Sequence, residues 1–396
     1  MSEFWPLPYQ LLWPCGLVMA WMAGEMLHRW TALPRISVYG VVGFLFANFA
    51  FGSMAQAESD IFMLLANLAF GLILFELGYR INLQWLKRNP WILVTALVEA
   101  SASFICVYFI ALAFDVASFT AAMLAALAMS TSPAAVLRVV NENASAGQVT
   151  ERLLHFSMCN CVLAVLTFKV IIGVGLFHGS GDLLHAISNS LAVLLVSAGM
   201  GLLMGLLLPA WLRHFTPNGP NGRDATLAFA LAVALLVAVT HVLKFSPVLA
   251  TLTFGIVARH RRISLSRTQR NFGVLGDLLS VLLFFYIATT LKWQHVLAGL
   301  PLALVLVFAR TSVKVLAVSA FARVSGITLR KAVLTGVALT PMSVFAILLL
   351  EQTRRLGVDL VENLLPLAAL VLLLEVIGPI LTQRALIMAR ETSSTS

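Results

Sequence analysis

The sequence has few charged residues: only 11% of its 396 positions are Asp, Glu, Lys or Arg, and 60% are hydrophobic. Soluble domains carry about 25% charged residues. The scarcity therefore excludes an ordinary soluble fold and predicts an integral membrane protein surrounded by a lipid bilayer. The formal net charge of +9 does not indicate nucleic acid as a partner, because the basic residues lie in short loops between apolar spans.

Cysteines and catalytic motifs are also scarce. The chain has four cysteines, all in apolar spans. Cys159 and Cys161 lie two residues apart, so on a helix they point to different faces, which argues against a disulfide or a metal clamp between them. The histidines show no metal-binding spacing, and no nucleophile–base pair or phosphate loop stands in a plausible setting. We therefore predict no metal, no cofactor and no enzymatic activity.

Long apolar runs are what the chain does have. A run of roughly 20 apolar residues crosses a bilayer as a helix, and about thirteen such runs follow one another here with short loops between them. The sequence therefore predicts an all-α integral membrane fold, in which residues 1–396 form one membrane domain without a soluble regulatory domain. The predicted spans are 11–28, 36–54, 60–79, 91–114, 118–139, 152–177, 183–211, 225–243, 245–258, 272–291, 296–322, 331–350 and 364–388.

The basic residues are distributed unevenly between the two ends of these spans. Most of the 26 lysines and arginines fall in loops on one side, and loops rich in these residues face the cytoplasm in membrane proteins. With an odd number of spans, the asymmetry predicts an N-terminus outside the membrane and a C-terminus in the cytoplasm.

Two of the spans contain a proline beside small hydroxyl residues: Pro133 in the fifth and Pro341 in the twelfth. Proline removes a helix hydrogen bond, and lipid cannot satisfy the freed groups, so a broken helix at membrane depth faces protein or water. An ordinary proline kink would explain one such motif. Two motifs at matched places are typical of an inverted repeat with a midplane substrate site, as in secondary transporters. We predict that the two breaks approach each other near the midplane.

Several stretches resemble the bacterial monovalent cation:proton antiporters often called the cation:proton antiporter-2 family, which have a sodium/hydrogen exchanger-like membrane domain. The resemblance implies two crossed broken helices in a core formed by spans within 91–177 and 296–388. This core would move against a dimerisation bundle of the remaining spans, within a homodimer in the bacterial inner membrane. The stretches are 68–78 (LAFGLILFELG), 128–142 (AMSTSPAAVLRVVNE), 246–257 (SPVLATLTFGIV), 282–290 (LLFFYIATT) and 314–350.

The chain departs from that family where the ion would bind. Family members carry an Asp that binds cation or proton in the span after the first broken helix, preceded by Asp, Asn or Gln. Here Asn160 matches the first position, and Cys161 replaces the Asp. Because a hard cation prefers oxygen ligands, Cys161 is either part of an atypical site or a small apolar filler, since free cysteine packs as a hydrophobe.

Four ionisable residues lie deep in predicted spans: Glu99, Glu375, Arg310 and Lys314. A charge at the bilayer centre costs at least about 2.5–3.5 kcal/mol, so such residues pair or face water. Arg310 and Lys314 are four residues apart and share a helix face, and the resemblance places Lys314 opposite the missing Asp, within reach of Asn160 and Cys161. The four are interpreted either as structural ion pairs or as charge-compensating and proton-carrying groups.

Three functions remain open at this stage. The first is proton-coupled antiport of a monovalent cation, Na⁺ or K⁺, held mainly by neutral oxygens at an atypical Asn-Cys site. The second is transport of an anion or organic acid on the same fold, since helix N-termini attract anions. The third is a relative that does not transport. The candidate ion-binding residues are Thr131, Ser132, Asn160, Cys161 and Thr340, and the candidate proton carriers or charge-compensating groups are Lys314, Arg310, Glu99 and Glu375.

Overall fold

The computed structural model describes residues 9–50, 59–176, 183–215, 223–261, 272–342, 346 and 365–392, which form helices with short connections and no strand among them. The helices of the first half are α1 (Tyr9–Thr31), α2 (Arg35–Leu45), α3 (Ser59–Arg80), α4 (Leu83–Arg88), α5 (Pro90–Ala113), α6 (Ser118–Ala128), α7 (Pro133–Glu142) and α8 (Gln148–Leu176). Those of the second half are α9 (Leu183–Phe215), α10 (Arg223–Val242), α11 (Pro247–His260), α12 (Gly273–Thr289), α13 (Trp293–Ala320), α14 (Leu329–Ala338) and α15 (Leu365–Met388).

The described helices are apolar on their outer faces as well as between them. Among the described residues, eight segments are long and apolar enough to span a membrane. Large hydrophobic side chains face outward, as Phe308 (77% exposed) and Leu207 (65% exposed) do. Such a surface would promote aggregation in water, whereas lipid solvates it. The outer surface is therefore that of a multi-pass membrane protein.

Packing divides the helices into two sets. In the first set, α11 lies against α3 and α9, α12 packs on α2 and α3, and α1 packs on α2. In the second set, α13 packs on α5, α14 and α15, and α6 packs on α5 and α8. The sets touch where α15 meets α2, where α7 meets α3 and where α8 meets α9. The second set comes from residues 90–176 and 293–388.

Glycines permit the closest helix contacts within the first set. A Cβ atom on Gly201 of α9 would lie 2.1 Å from the carbonyl oxygen of Ala250, and one on Gly78 of α3 would lie 2.2 Å from that of Leu252. Small residues allow backbones to approach this closely in membranes, where packing rather than water expulsion drives helix association. The two glycines therefore let α9 and α3 pack directly against the backbone of α11.

The fifth predicted span is interrupted at Pro133. Helix α6 ends at Ala128, the backbone from Met129 to Ser132 is not helical, and Pro133 is the first residue of α7. Proline suits this first position because its missing N–H would have no helical partner there. Ser132 is the N-cap of α7, and its side chain accepts a hydrogen bond from the backbone N–H of Ala135.

The twelfth predicted span is interrupted near Pro341. Helix α14 ends at Ala338, and the backbone from Thr340 to Met342 is not helical. The rest of this predicted span, up to residue 350, lies outside the described residues apart from residue 346, which is helical. Two interrupted segments thus lie in the second helix set, one from each half of the chain.

Candidate functional site

The two interruptions lie against each other. The backbone N–H of Ser132 donates to the carbonyl oxygen of Pro341 at 3.0 Å, and the hydroxyl of Thr131 donates to that of Leu339 at 3.2 Å. These bonds satisfy backbone groups that the breaks free and that lipid could not satisfy. We call this contact between the two interruptions the crossing. Gly378 of α15 covers it closely, since a Cβ atom there would lie 2.6 Å from the Cα of Pro341.

Arg310 is fully buried beside the crossing and bonds to backbone carbonyls of both broken segments. Its Nη1 donates to the oxygen of Thr340 and its Nη2 to that of Ser130, each at 2.6 Å, and its Nε donates to that of Ala128. These carbonyls lie at the C-terminal ends of α6 and α14, where helix oxygens lack partners and the helix dipole is negative. The described hydrogen-bond partners of Arg310 are carbonyls and not a carboxylate.

Lys314 lies one turn further along α13 and forms a buried ion pair with Glu99 of α5. Its Nζ also donates to the hydroxyl oxygen of Thr131 and to the carbonyl oxygen of Met129, both at 3.3 Å. An ammonium group has three donors, so these three acceptors use all of them. Ser103, one turn after Glu99, donates to the same carboxylate oxygen at 3.3 Å.

Asn160 of α8 bonds to two of the residues that Lys314 bonds to. Its Nδ2 donates to Oε2 of Glu99 at 2.7 Å and to the hydroxyl oxygen of Thr131 at 3.2 Å. Its Oδ1 is buried and has no hydrogen-bond partner among the described residues. We call Glu99, Thr131, Asn160 and Lys314 the Glu99 cluster. The structure thus links Lys314 to Asn160 through the hydroxyl of Thr131 and through the two oxygens of Glu99.

The other candidate ion ligands lie near the crossing but outside this cluster. The hydroxyl of Thr340 donates to its own helix at the carbonyl of Val337, 2.6 Å away, and the hydroxyl of Ser132 caps α7. Cys161 is 1% exposed, and no polar contact among the described residues joins it to the cluster. Of the predicted hydroxyl ligands, Thr131 is the one that the structure brings to the buried charges.

Glu375, the second deep carboxylate, lies elsewhere. It is 4% exposed on α15 and faces α2, where a Cβ atom on Gly40 would lie 3.2 Å from its carboxyl carbon. Neither of its oxygens has a hydrogen-bond partner among the described residues. The structural pairing considered for Lys314 is therefore made with Glu99 and not with Glu375.

Two kinds of hydrogen-bond partner of the buried charges were not predicted from the sequence. Ser103 could have been found, since it follows Glu99 by four residues and so lies on the same helix face. The carbonyls of Ala128, Met129 and Ser130 carry no side-chain signal, and only the broken helix makes them available.

The chain was compared with known proteins. A family model described as "Sodium/hydrogen exchanger, transmembrane" matches residues 16–387. Among solved structures, the sodium proton antiporter MjNhaP1 from Methanocaldococcus jannaschii at pH 8 is similar, with a TM-score of 0.68 and 16% identity over 96% of this chain and 97% of that chain. An electron-microscopy structure of MjNhaP1 matches with the same score and identity over 98% and 96% of the two chains. No curated protein sequence matches the chain.

At 16% identity, the likeness to MjNhaP1 shows that the two chains share a fold. The family model adds evidence at the level of sequence, and it extends across both interrupted helices and every member of the Glu99 cluster. The protein therefore belongs to the sodium/hydrogen exchanger family.

Proposed function

We propose that this protein exchanges a monovalent cation for a proton and that the Glu99 cluster is the site where the two alternate. The observation that carries the proposal is the buried Lys314–Glu99 ion pair, held by Thr131 and Asn160 where two broken helices meet. The shared fold supports it, since MjNhaP1 is described as a sodium proton antiporter.

The ammonium of Lys314 lies where a metal cation could bind. Its acceptors are a carboxylate oxygen of Glu99, a hydroxyl oxygen of Thr131 and the carbonyl oxygen of Met129. Hard cations prefer oxygen ligands of these kinds. The buried Oδ1 of Asn160, which has no described partner, supplies a further oxygen beside them. A monovalent cation that bound these oxygens would displace Lys314 from Glu99.

The proton step follows from charge balance. When a cation takes the place of the ammonium, an N–H bond of Lys314 breaks and the proton passes to water, leaving a neutral amine. The cluster then holds one positive and one negative charge both before and after the exchange. This equality matters because an uncompensated buried charge costs several kcal/mol. In the reverse step, the amine takes up a proton and the cation leaves.

In this scheme Glu99 supplies the carboxylate that the family resemblance places at position 161. The carboxylate comes from α5 rather than α8, and Asn160 holds it from the α8 side through the 2.7 Å bond to Oε2. Cys161 then needs no charge and packs as a small apolar residue. The atypical Asn160–Cys161 pair is thus compatible with cation exchange.

The alternative of anion transport finds less support in the contacts. The described contacts of Arg310 are with carbonyl oxygens, and Glu99 cancels the charge of Lys314. Beside the positive N-terminal end of α7 at Pro133, an anion at the crossing would meet a carboxylate and the negative ends of α6 and α14. The carboxylate and these two C-terminal ends attract a cation.

We also propose how the protein is assembled, which parts of it move and how it is oriented in the membrane. The second helix set would move as a core against the first, within a homodimer in the bacterial inner membrane. The N-terminus would lie outside and the C-terminus in the cytoplasm. The uneven loop charge supports the orientation, and the packing into two sets supports the division. The dimer and the membrane rest on the family resemblance.

The proposal can be tested in proteoliposomes that contain a pH-sensitive dye. Gradients of Na⁺, K⁺, Li⁺, chloride and an organic acid are imposed in turn, and the cations are expected to drive proton movement. Glu99→Gln and Lys314→Gln should each abolish this flux. Lys169→Gln, which removes a lysine of α8 outside the Glu99 cluster, serves as the matched control and should retain it. Cation-driven flux that persists in both cluster variants, when they are correctly folded, would refute the scheme. Flux driven only by anions would favour the alternative.

A further inference from the structure

Glu375 is a buried carboxyl that the proposed exchange does not use. It lies on α15 with 4% of its surface exposed, and neither oxygen has a hydrogen-bond partner among the described residues. This differs from Glu99, whose two oxygens accept bonds from Lys314, Ser103 and Asn160. An ionised carboxylate without donors is costly away from water. Among the described residues, nothing offsets that cost at Glu375.

Its position lies where the two helix sets meet. Helix α2 passes so close that a Cβ atom on Gly40 would lie 3.2 Å from the carboxyl carbon and from Oε1 of Glu375. The hydroxyl of Ser37, one turn earlier on α2, donates to the carbonyl of Val376 at 3.0 Å. One turn after Glu375, Gly378 packs on Pro341. The turn of α15 that carries Glu375 thus contacts α2, and the next turn contacts the crossing.

The charged groups on the described elements that pack against α15 have described partners other than Glu375, except His295, which lies in the first turn of α13 about four turns before Arg310. These elements are α2, α7, α13 and α14. Of their remaining titratable groups, Glu142 bonds to Arg35 at 2.7 Å, and the ring of Tyr39 packs beside Gly24. The cations engaged elsewhere are Arg35, Arg138, Arg310, Lys314, Arg330 and Lys331. No ionic partner for Glu375 is found among the described residues.

We propose that Glu375 is a second proton-binding site, separate from the Glu99 cluster, that must hold its proton whenever α15 packs against α2. When the two helices separate and water reaches the carboxyl, the O–H bond can break and the proton passes to water. The ionised form then disfavours the packed arrangement. Because exposed carboxyls lose their protons more completely as pH rises, the packed arrangement becomes less populated at alkaline pH.

This inference rests on the proposed exchange for its main measurement, the pH profile of cation-driven proton flux in proteoliposomes. The parent flux is expected to fall on the alkaline side by up to about tenfold per pH unit, the limit for loss of one proton. The side chain introduced by Glu375→Gln is neutral at every pH, so this variant should lose the alkaline fall in flux, while Glu375→Asp should retain it. Ser37→Ala breaks the α2–α15 hydrogen bond without changing the carboxyl, so the alkaline fall in flux should persist with the same slope and only its midpoint should be displaced.

The outcomes separate this inference from the proposed function. If the parent moves no protons in response to any cation, the exchange itself is refuted. If the parent is active and the profile of Glu375→Gln coincides with that of the parent, Glu375 is not the second site. Should Glu375→Gln fail to fold, infrared spectroscopy of the parent and of Glu375→Asp decides the matter. A protonated carboxyl band that shifts in Glu375→Asp is expected, and a spectrum unchanged by this substitution would overturn the inference.

Discussion

The Glu99 cluster shows how a buried charge is tolerated at membrane depth. Lys314 and Glu99 are both fully buried, and Thr131, Asn160 and Ser103 donate to or accept from them. A buried ion pair is stable only when such additional bonds satisfy its remaining lone pairs and protons. Because the two charges are paired, removing one of them leaves the other buried without a counter-charge, and the resulting loss of stability can be measured.

Removing one charge should therefore destabilise the protein more than removing both. Lys314→Gln or Glu99→Gln alone leaves a buried charge without its partner, at a cost of about 3–5 kcal/mol. The double variant Glu99→Gln/Lys314→Gln leaves neutral amides that can bond to each other. We expect its thermal midpoint in detergent to exceed that of either single variant. Additive losses in the double variant would contradict the pairing.

A second prediction separates the two neighbours on α8. Asn160→Ala removes the donor to Glu99 and Thr131 and should lower cation-driven flux strongly, with a stability loss of about 1–3 kcal/mol for an acceptor left unsatisfied. Cys161→Ala removes only packing and should change flux little. Flux measured in matched proteoliposomes checks both variants. Loss of flux in Cys161→Ala at normal expression would show that the thiol takes part in the site.

At the scale of elements, the C-terminal ends of the broken helices lie beside the buried cations. The C-terminal ends of α6 and α14 both direct carbonyl oxygens toward Arg310, and Lys314 bonds to Met129 at the end of α6. Because helix C-termini carry partial negative charge, these two helix ends help to stabilise the buried cations Arg310 and Lys314. The guanidinium holds the two segments together through its planar fork of donors.

This geometry makes Arg310→Lys a disruptive substitution despite its equal charge. A single ammonium cannot reach carbonyls of both segments as the guanidinium does, and each buried carbonyl left unsatisfied costs about 1–3 kcal/mol. We expect a clearly lower thermal midpoint in detergent. The matched control is Arg323→Lys at an exposed position, which should change it little. Equal midpoints for the two variants would show that charge alone, and not the fork, holds the segments.

At the scale of the whole molecule, family membership and the antiporter-like helical fold confirm the predicted membrane protein of the sodium/hydrogen exchanger type. The family consists of secondary transporters, which agrees with the prediction that the chain is not an enzyme. Two helix sets meet along a boundary that includes α2 and α15. If the sets move against each other during transport, contacts across this boundary must change, while contacts within a set persist.

Cross-linking can test that motion in a background without the four native cysteines. Ser37→Cys/Val376→Cys joins the two sets, at a site where a hydroxyl and a carbonyl lie 3.0 Å apart. Thr382→Cys/Ala338→Cys joins α15 to α14 within one set, where the corresponding distance is 2.9 Å. A short thiol cross-linker should stop flux only in the first pair, and a reducible linker should allow recovery after reduction. Full flux in the cross-linked first pair would argue against relative motion there.

The sequence by itself determined the class of the protein and the places where its helices break. Hydropathy reports burial in lipid over any run of about 20 residues, and proline interrupts a helix wherever it falls within one. Both are local properties, so Pro133 and Pro341 could be found without knowledge of the fold. The depth of Glu99, Glu375, Arg310 and Lys314 was evident for the same reason.

Only the tertiary structure decided which of these charges meet. A helix that is apolar on all sides shows little hydrophobic periodicity, so its sequence does not indicate which face meets the other helices. Nothing in the sequence therefore distinguished Glu99 from Glu375 as the partner of Lys314. The carbonyl partners of Arg310 belong to backbone that any residue carries, and the crossing alone exposes them. How distant helices meet depends on packing between them, which is why the candidate residues could be named from the sequence but their pairing could not.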